Sequence, residues 1–304
     1  MDLLNPRIDL AFKKIFGSEE NKDLLISFIN SIVSKEDQVV DVQILNPYNS
    51  RNFAKDKLSI LDIKAKDTLG TYYNIEVQIC DEGDYDKRAL YYWSKLYADQ
   101  IGQRDEYEKL RKAIAIHVLN FHSIPEAPKY FNRFIIMNEE TQKRHFEDLE
   151  IYTIELSKFS EKGDEPLALM LPRIKTGLDR WAAFLTRASS LNANNLPQEL
   201  SDPYIQKAMD TLTRVSLSED ERALYEWNLK WWRTETSALA KAEKKGMERG
   251  IEKGIEKGRV EGALEEKRKI ALEMLIDNEP EAKIIKYSGL TADQIAEIRK
   301  AFIQ

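Results

Sequence analysis

Two runs of alternating apolar and polar residues, Ser59 to Lys66 and Tyr72 to Cys80, flank the segment Asp67-Thr68-Leu69-Gly70-Thr71. A period of two on either side of a short turn restricts this stretch to an antiparallel hairpin with one dry face. With Gly70 in the left-handed position of a bulge turn, the loop has three residues and the register follows, whereas a two-residue turn would offset the pairing by one. Asp62 then lies directly opposite Glu76. Leu61, Ile63, Ala65, Ile75, Val77 and Ile79 form the core face. Asp62, Lys64 and Lys66 share the other face with Asn74, Glu76 and Gln78.

Opposed carboxylates on neighbouring strands repel, which costs stability unless a cation sits between them. Mg²⁺ suits such a site, because it takes one or two protein carboxylates and completes its shell with water and phosphate. It can polarise a phosphodiester and lower the pKa of a bound water. On the hairpin pattern alone, a solvated hairpin with mixed charge on its outer face is the better description.

The flanking sequence supplies the rest of a fold. The first 35 residues read as helix, with Ile8, Phe12, Ile15 and Phe16 on one side and a second run from Asp23 to Ile32. Gly17-Ser18 marks the break, and Ser18 or Asn21 is the expected cap. Val39 to Leu45, closed by Asn46-Pro47, reads as strand. Tyr85 to Ile101 is an amphipathic helix, followed by Tyr107 to Lys112. Ile114 to Phe121 is nearly all apolar, the pattern of a strand buried on both faces. Phe131 to Met137 and Leu149 to Leu156 extend the same domain. The order implies an α/β fold, a mixed sheet with helices on both faces.

From about Pro172 the strand signals stop. Trp181, Phe184 and Leu185, then Ile205, Met209 and Leu212, then Leu224, Trp227 and Trp231 mark helical faces. Trp227 and Trp231 are expected in the core. The expected domains are 1–160, the sheet domain; 161–241, a helical region; and 242–304, a glycine-repeat helix or linker with a small helical tail.

Composition limits the function. The chain has 46 basic and 52 acidic residues, a formal net charge of −6. That argues against non-specific coating of nucleic acid, but not against an enzyme with one local patch. The single cysteine, Cys80, excludes an internal disulfide and a cysteine-based zinc site, and suits a cytoplasmic chain. No run reaches the ~18 apolar residues of a membrane span, and the charged first residues do not read as a signal peptide. His117, His122 and His145 lack zinc-ligand spacing, and His117 reads as a satisfied core histidine. Neither a nucleophile elbow, a P-loop nor a dinucleotide fingerprint occurs.

Four blocks, taken in order, narrow the reading. They are Asp9-Leu10-Ala11-Phe12-Lys13-Lys14-Ile15-Phe16, Leu61-Asp62-Ile63-Lys64-Ala65, Tyr73-Asn74-Ile75-Glu76-Val77-Gln78, and Lys87-Arg88-Ala89-Leu90-Tyr91-Tyr92-Trp93-Ser94-Lys95-Leu96-Tyr97. Together they resemble the Rpn family of recombination-promoting nucleases and transposases, within the PD-(D/E)XK nuclease superfamily. The resemblance implies a restriction-endonuclease-like mixed sheet flanked by helices, here followed by an all-helical C-terminal region. It also implies Mg²⁺-dependent cleavage of DNA, with Mn²⁺ or Ca²⁺ as alternative ions.

In that superfamily the aspartate and the following glutamate hold the metal, so those roles pass to Asp62 and Glu76. The third position is usually lysine, which stabilises charge on phosphate or orients the attacking water. Here it is Gln78, whose amide can orient water but brings no charge. Lys64, on the face of Asp62, is the best substitute for that charge, with Lys13 as the second. Asp9 is a further site candidate; it also fits a dipole-favoured helix start or an i,i+4 partner for Lys13. Lys13, Arg88 and Tyr92 are candidates for holding phosphate, against the alternative of a solvated helix face. The implied function is a metal-dependent DNA endonuclease in a recombination or defence context. The alternative, suggested by Gln78 and the acidic balance, is a catalytically inactive DNA-binding or oligomeric regulatory protein on the same fold.

The tail has its own pattern. Gly246, Gly250, Gly254, Gly258 and Gly262 recur every fourth residue. In a helix each costs up to about 1 kcal/mol against alanine. Glu248, Glu252 and Glu256 are like charges at i,i+4, as are Arg249, Lys253 and Lys257. Such a helix is weak alone, which leaves a flexible linker or a helix completed by a partner. The partner helix is expected, most simply from another copy of the chain, giving a homo-oligomer through the C-terminal region. Ile284 to Arg299 reads as helix, Ser288-Gly289 turn, helix, with Thr291 as cap. A small oligomerisation or packing module fits it better than a DNA-recognition end.

Overall fold

The computed structural model describes residues 3–45, 63–81, 83–160 and 165–302. The first apolar spacings become α1 (Asp9–Phe16) and α2 (Lys22–Asn30), which bury Phe12, Ile15 and Phe16, then Leu24, Leu25, Phe28 and Ile29. The break at Gly17 is where the sequence puts it, but neither Ser18 nor Asn21 caps α2 with its side chain. A 3₁₀ turn over Glu19–Asn21 runs straight into α2, and the Asn21 amide turns back to the Lys14 carbonyl at 3.2 Å.

Six strands follow: β1 (Val42–Leu45), β2 (Ile63–Asp67), β3 (Tyr72–Gln78), β4 (Ala113–Leu119), β5 (Phe131–Phe134) and β6 (Leu149–Glu155). They form one sheet in the order β1-β2-β3-β4-β6-β5. β3–β4 and β4–β6 are parallel and the other pairs antiparallel, so the sheet is mixed, as expected. Parallel neighbours need a crossover, and α3 (Tyr85–Ala98) provides the one between β3 and β4. It stops three residues short of the expected Ile101, and only Tyr107–Lys109 of the following piece is helical, as a 3₁₀ turn.

The hairpin pairs Ile63 with Ile75, Lys64 with Asn74 and Ala65 with Tyr73, the register read from the turn. Gly70 is left-handed, with φ at +94°. The Asp67 carboxylate closes the loop by accepting from the Leu69 and Thr71 amides, each at 2.8 Å. Asp62 and the rest of the expected first strand before Ile63 lie outside the described residues. A Cβ at position 70 would stand 3.2 Å from Arg111 Cγ, on a backbone that L side chains avoid. Gly70→Ala is therefore expected to cost about 1–2 kcal/mol. A urea-denaturation midpoint equal to that of the parent would refute this.

One face of the sheet carries Ile75, Ile116 and Ile154 into a core shared with α1, α2, α6 (Gly177–Arg187) and α7 (Pro203–Arg214), after two single turns, α4 (Leu156–Phe159) and α5 (Leu167–Met170). Trp181 of α6 packs against Phe16 at 5.2 Å and Phe28 at 5.8 Å between ring centroids. Thr176 and Asp179 cap α6 reciprocally, while Asp202 accepts from the Tyr204 amide at 2.9 Å at the head of α7. The other face of the sheet receives α3, whose Trp93 indole donates to the Ala113 carbonyl at 2.8 Å.

The last long helix, α8 (Glu219–Ile276), carries the glycine repeat as continuous helix rather than as linker. The chain divides into two compact units, Met1–Thr234 and Glu235–Gln304. Within the first, Tyr225 of α8 is buried with Ile8 and Ala11, and Leu229 and Trp232 pack against them. The expectation for Trp227 and Trp231 is corrected: they are 64% and 40% exposed. Two apolar stripes, 224/227/231 and 225/229/232, lie about one residue apart on this helix, and the second one faces inward. Within the other unit, α9 (Glu281–Ser288) and α10 (Ala292–Phe302) bury Ile284, Leu290 and Ile295 with Ala271. Gly289 ends α9 with φ at +65°, and Thr291 and Gln294 exchange the two bonds of a capping box. Among the described residues, no helix is long and apolar enough to cross a membrane.

Candidate functional site

The parallel register sets Glu76 of β3 beside His117 of β4, and His117 beside Thr153 of β6. Alternation puts Asn74 on the same face as Glu76, one pleat earlier. All four side chains are buried, Glu76 to 2% and His117 to 0% exposure. The outer face of the hairpin is thus no solvated surface where β3 is concerned. β3 is an inner strand, and Tyr85 at the start of α3 lies over the row, its ring edge-on to His117 at 5.5 Å.

The Asn74 amide donates to Glu76 Oε1 at 2.9 Å. His117 Nδ1 is 3.6 Å from Glu76 Oε2, too far for a hydrogen bond. Among the described residues no hydrogen bond reaches Asn74 Oδ1, the Tyr85 hydroxyl, Thr153 Oγ1 or either ring nitrogen of His117. His117 is therefore buried as the sequence suggests, but no described residue hydrogen-bonds to its ring nitrogens. Each orphaned buried polar group costs about 1–3 kcal/mol, and here they gather around one carboxylate. Burial, helped by the Arg88 guanidinium, holds the His117 imidazole down at about 4, so it is neutral at pH 7. Burial and then the charges of Glu76 and Glu155 push the Tyr85 hydroxyl up, so it keeps its proton. The patch offers a carboxylate, a neutral imidazole and hydroxyl donors without committed partners among the described residues.

The other candidates are distributed unevenly. Lys64 stands across the hairpin from Asn74, one residue pair from Glu76 on the same face. Gln78 closes β3, half-buried, in register with Leu119. Arg88 is half-buried on α3 and near enough to His117 to bear on its charge. Tyr92 has its ring against Tyr91 at 5.6 Å. On α1, Asp9 and Lys13 form the i,i+4 pair at 3.2 Å. Glu155 shares the face of Glu76 but is engaged elsewhere, by Lys158 at 2.8 Å and the Ser123 amide at 2.9 Å. Tyr85 and Thr153 were not legible as site residues: they come from separate elements, and only the crossover and parallel pairing bring them to Glu76.

A family model described as PD-(D/E)XK nuclease family transposase matches residues 6–242. The chain belongs to this family. The matched stretch takes in α1, the whole sheet, α3, α6 and α7. No curated protein and no solved structure matches the chain. No group of three or more His, Cys, Asp or Glu side chains that could hold a metal ion occurs among the described residues. Mg²⁺ asks for less, one or two carboxylates with water and phosphate completing the shell. A buried glutamate beside polar atoms that have no hydrogen-bond partner among the described residues fits that demand.

Proposed function

We propose that this chain is a metal-dependent DNA endonuclease of the Rpn/transposase type, hydrolysing phosphodiester bonds in recombination or defence. The observation that carries the reading is Glu76, a carboxylate buried to 2% exposure on an inner strand with orphaned polar groups around it. Asp62 is the second metal carboxylate in this reading, supported by a hairpin register that holds up to Ile63 opposite Ile75. Asp62 and Glu76 would hold a divalent ion, Mg²⁺ first and Mn²⁺ or Ca²⁺ as alternatives, which would supply polarisation of the phosphodiester and a bound water of lowered pKa. Gln78 orients that water through its amide. Lys64 offsets charge developing on phosphate, with Asp9 as a further site acid. Asn74 fixes the Glu76 carboxylate through its 2.9 Å hydrogen bond. Lys13, Arg88 and Tyr92 hold the flanking phosphates.

A plasmid-nicking assay with Mg²⁺ or Mn²⁺ tests this, comparing the parent with Asp62→Ala and Glu76→Ala. Cleavage surviving both substitutions would overturn the assignment. Gln78 in place of lysine favours a second reading, a catalytically inactive DNA-binding or oligomeric regulatory protein. A parent that binds DNA and never nicks it selects that reading.

An acidic chain that meets DNA through a narrow patch binds weakly, with a salt slope set by the few phosphates that the patch contacts. If Arg88 contacts phosphate, Arg88→Ala should weaken binding equally across DNA sequences and lower the salt slope by about 1. Fluorescence anisotropy over a salt series measures both. An unaltered slope removes Arg88 from the phosphate contacts.

A further inference from the structure

We propose that Arg7 and Arg187 together hold a phosphate group at the carboxyl end of the parallel strands. This deepens the nuclease reading and rests on it for the source of the phosphate. Neither arginine stands out in the sequence, since one precedes α1 and the other ends α6.

The sheet brings them to one place. β3, β4 and β6 run parallel and end at Gln78, Leu119 and Glu155. Asn120, the residue after β4, donates its backbone amide to the Gln78 carbonyl at 2.9 Å. Its side-chain oxygen accepts from Arg7 Nη1 at 2.8 Å. Ser160 lies just beyond β6, after the single turn α4, and its hydroxyl accepts from Arg187 Nη2 at 3.0 Å. Both guanidinium groups are thus tethered past the same strand ends, where open α/β sheets bind ligands. They are close enough for Arg187 to bear on the charge of Arg7: burial, then Arg187, lowers the Arg7 pKa to about 10.

Arg7 is built into the fold. Its side chain is half-buried, its guanidinium lies 4.7 Å from the centre of the Trp232 ring, and its Nε donates to Asn5 Oδ1 at 3.3 Å. The Asn5 amide in turn donates to the Tyr225 hydroxyl at 2.8 Å. All of these partners are neutral, and among the described residues no carboxylate pairs with Arg7. The acid nearest to it in sequence, Asp9, faces Lys13 at 3.2 Å. Stacking accounts for Arg7 alone, and the helix dipole accounts for a basic residue in the last turn of α6 alone. Neither accounts for two like charges meeting half-buried, an arrangement that costs stability. An anion between them offsets both charges at once. Phosphate fits, because guanidinium forks hold its oxygens in bidentate pairs. Gln78, which brings no charge of its own, closes the strand to which Arg7 is tethered, so the pair supplies positive charge at that strand end.

The full-length protein in EDTA tests this with inorganic phosphate as the probe, by thermal denaturation against chloride at matched ionic strength. Phosphate stabilises folded proteins generally through its exclusion from their surfaces. The parent should show, in addition, a saturable rise in melting temperature from binding. Arg7→Gln and Arg187→Gln should each keep the general rise and lose the saturable one. Arg7 also holds Asn5 and Asn120, so if Arg7→Gln does not fold, Arg187→Gln decides alone. In fluorescence anisotropy without metal, each folded variant should bind a short DNA duplex at least about tenfold more weakly than the parent. Equal affinity of the parent for duplexes with and without a 5′-phosphate is expected and assigns the site to a backbone phosphodiester. A preference for the phosphorylated duplex assigns it to a strand terminus instead. A saturable response absent from the parent, or retained in either folded variant, overturns the proposal even if the protein nicks DNA. A response lost in the variants of a protein that neither binds nor nicks DNA upholds the anion site and removes the nuclease reading.

Discussion

Glu76→Ala and Glu76→Gln are both expected to lower Mg²⁺-dependent nicking of plasmid DNA by at least about 100-fold, since even partners one step removed from a metal ligand are worth 10–100-fold. The two substitutions separate chemistry from folding. Alanine leaves a buried hollow and an orphaned Asn74 amide, which now donates to Glu76 at 2.9 Å. Glutamine keeps the size and can keep that hydrogen bond through its carbonyl, but it removes the charge. If Glu76 serves only to support the fold, Glu76→Gln should retain most of the activity of the parent. If it holds the ion, Glu76→Gln should fold normally and still be inactive.

A second readout does not depend on turnover. A ligand that binds the folded state raises its stability by mass action. Mn²⁺ should raise the melting temperature of the parent and leave that of Glu76→Gln unmoved. Equal stabilisation of both proteins would place the ion elsewhere.

The hairpin was legible because a period of two and a glycine-bearing turn favour a three-residue loop, and Gly70 takes the left-handed conformation that this loop needs. The mixed sheet followed from the order of strand and helix signals. What stayed hidden depended on which surfaces meet. Glu76 looked like part of an exposed face because alternation tells two faces apart without saying what covers each. Its burial comes from α3 and from the parallel neighbour β4, contacts made by residues such as Tyr85 and His117 from other elements. The same limit misplaced Trp227 and Trp231. Their spacing of four is a valid inward stripe, but Tyr225, Leu229 and Trp232 form another, and only packing against α1 decides between them. The tail was more transparent, because the Ser288-Gly289 turn and the Thr291 cap are local signals.

Glu150 carries the largest expected effect on stability. It is the second residue of β6, and its side chain is wholly buried. Arg133 grips it with two bonds, at 2.8 and 3.1 Å, Arg144 donates at 2.7 Å, the Tyr152 hydroxyl at 2.5 Å, and Lys112 stands at 2.8 Å. Tyr152 belongs to β6 itself; the others come from β5, from the loop between β5 and β6, and from the residue before β4, so one carboxylate ties three strands together. Burial by itself would push its carboxyl up. The bonds from Arg133, Lys112, Tyr152 and Arg144 outweigh burial and hold its pKa at about 2. An unfolded glutamate titrates near 4.3, so below that pH the unfolded chain takes up a proton that the folded chain refuses. The contribution is complete above about pH 4.3 and disappears as the pH falls toward 2; the difference is on the order of 3 kcal/mol.

Glu150→Gln should therefore cost about 3 kcal/mol at pH 7, the low end for breaking a buried ion pair. The low end applies because Lys112 keeps Asp37 at 2.6 Å and because Arg133 is 37% exposed and can turn to water. In urea titrations the gap between parent and variant should narrow as the pH drops from 4.3 to 2. A gap under about 1 kcal/mol at pH 7 would sink the claim, being within the range of ordinary surface substitutions. Glu150 and Thr153 differ by an odd number of residues along β6 and so point to opposite faces. The clamp thus lies on the face away from Glu76, and the folded fraction of Glu150→Gln should nick DNA at the rate of the parent.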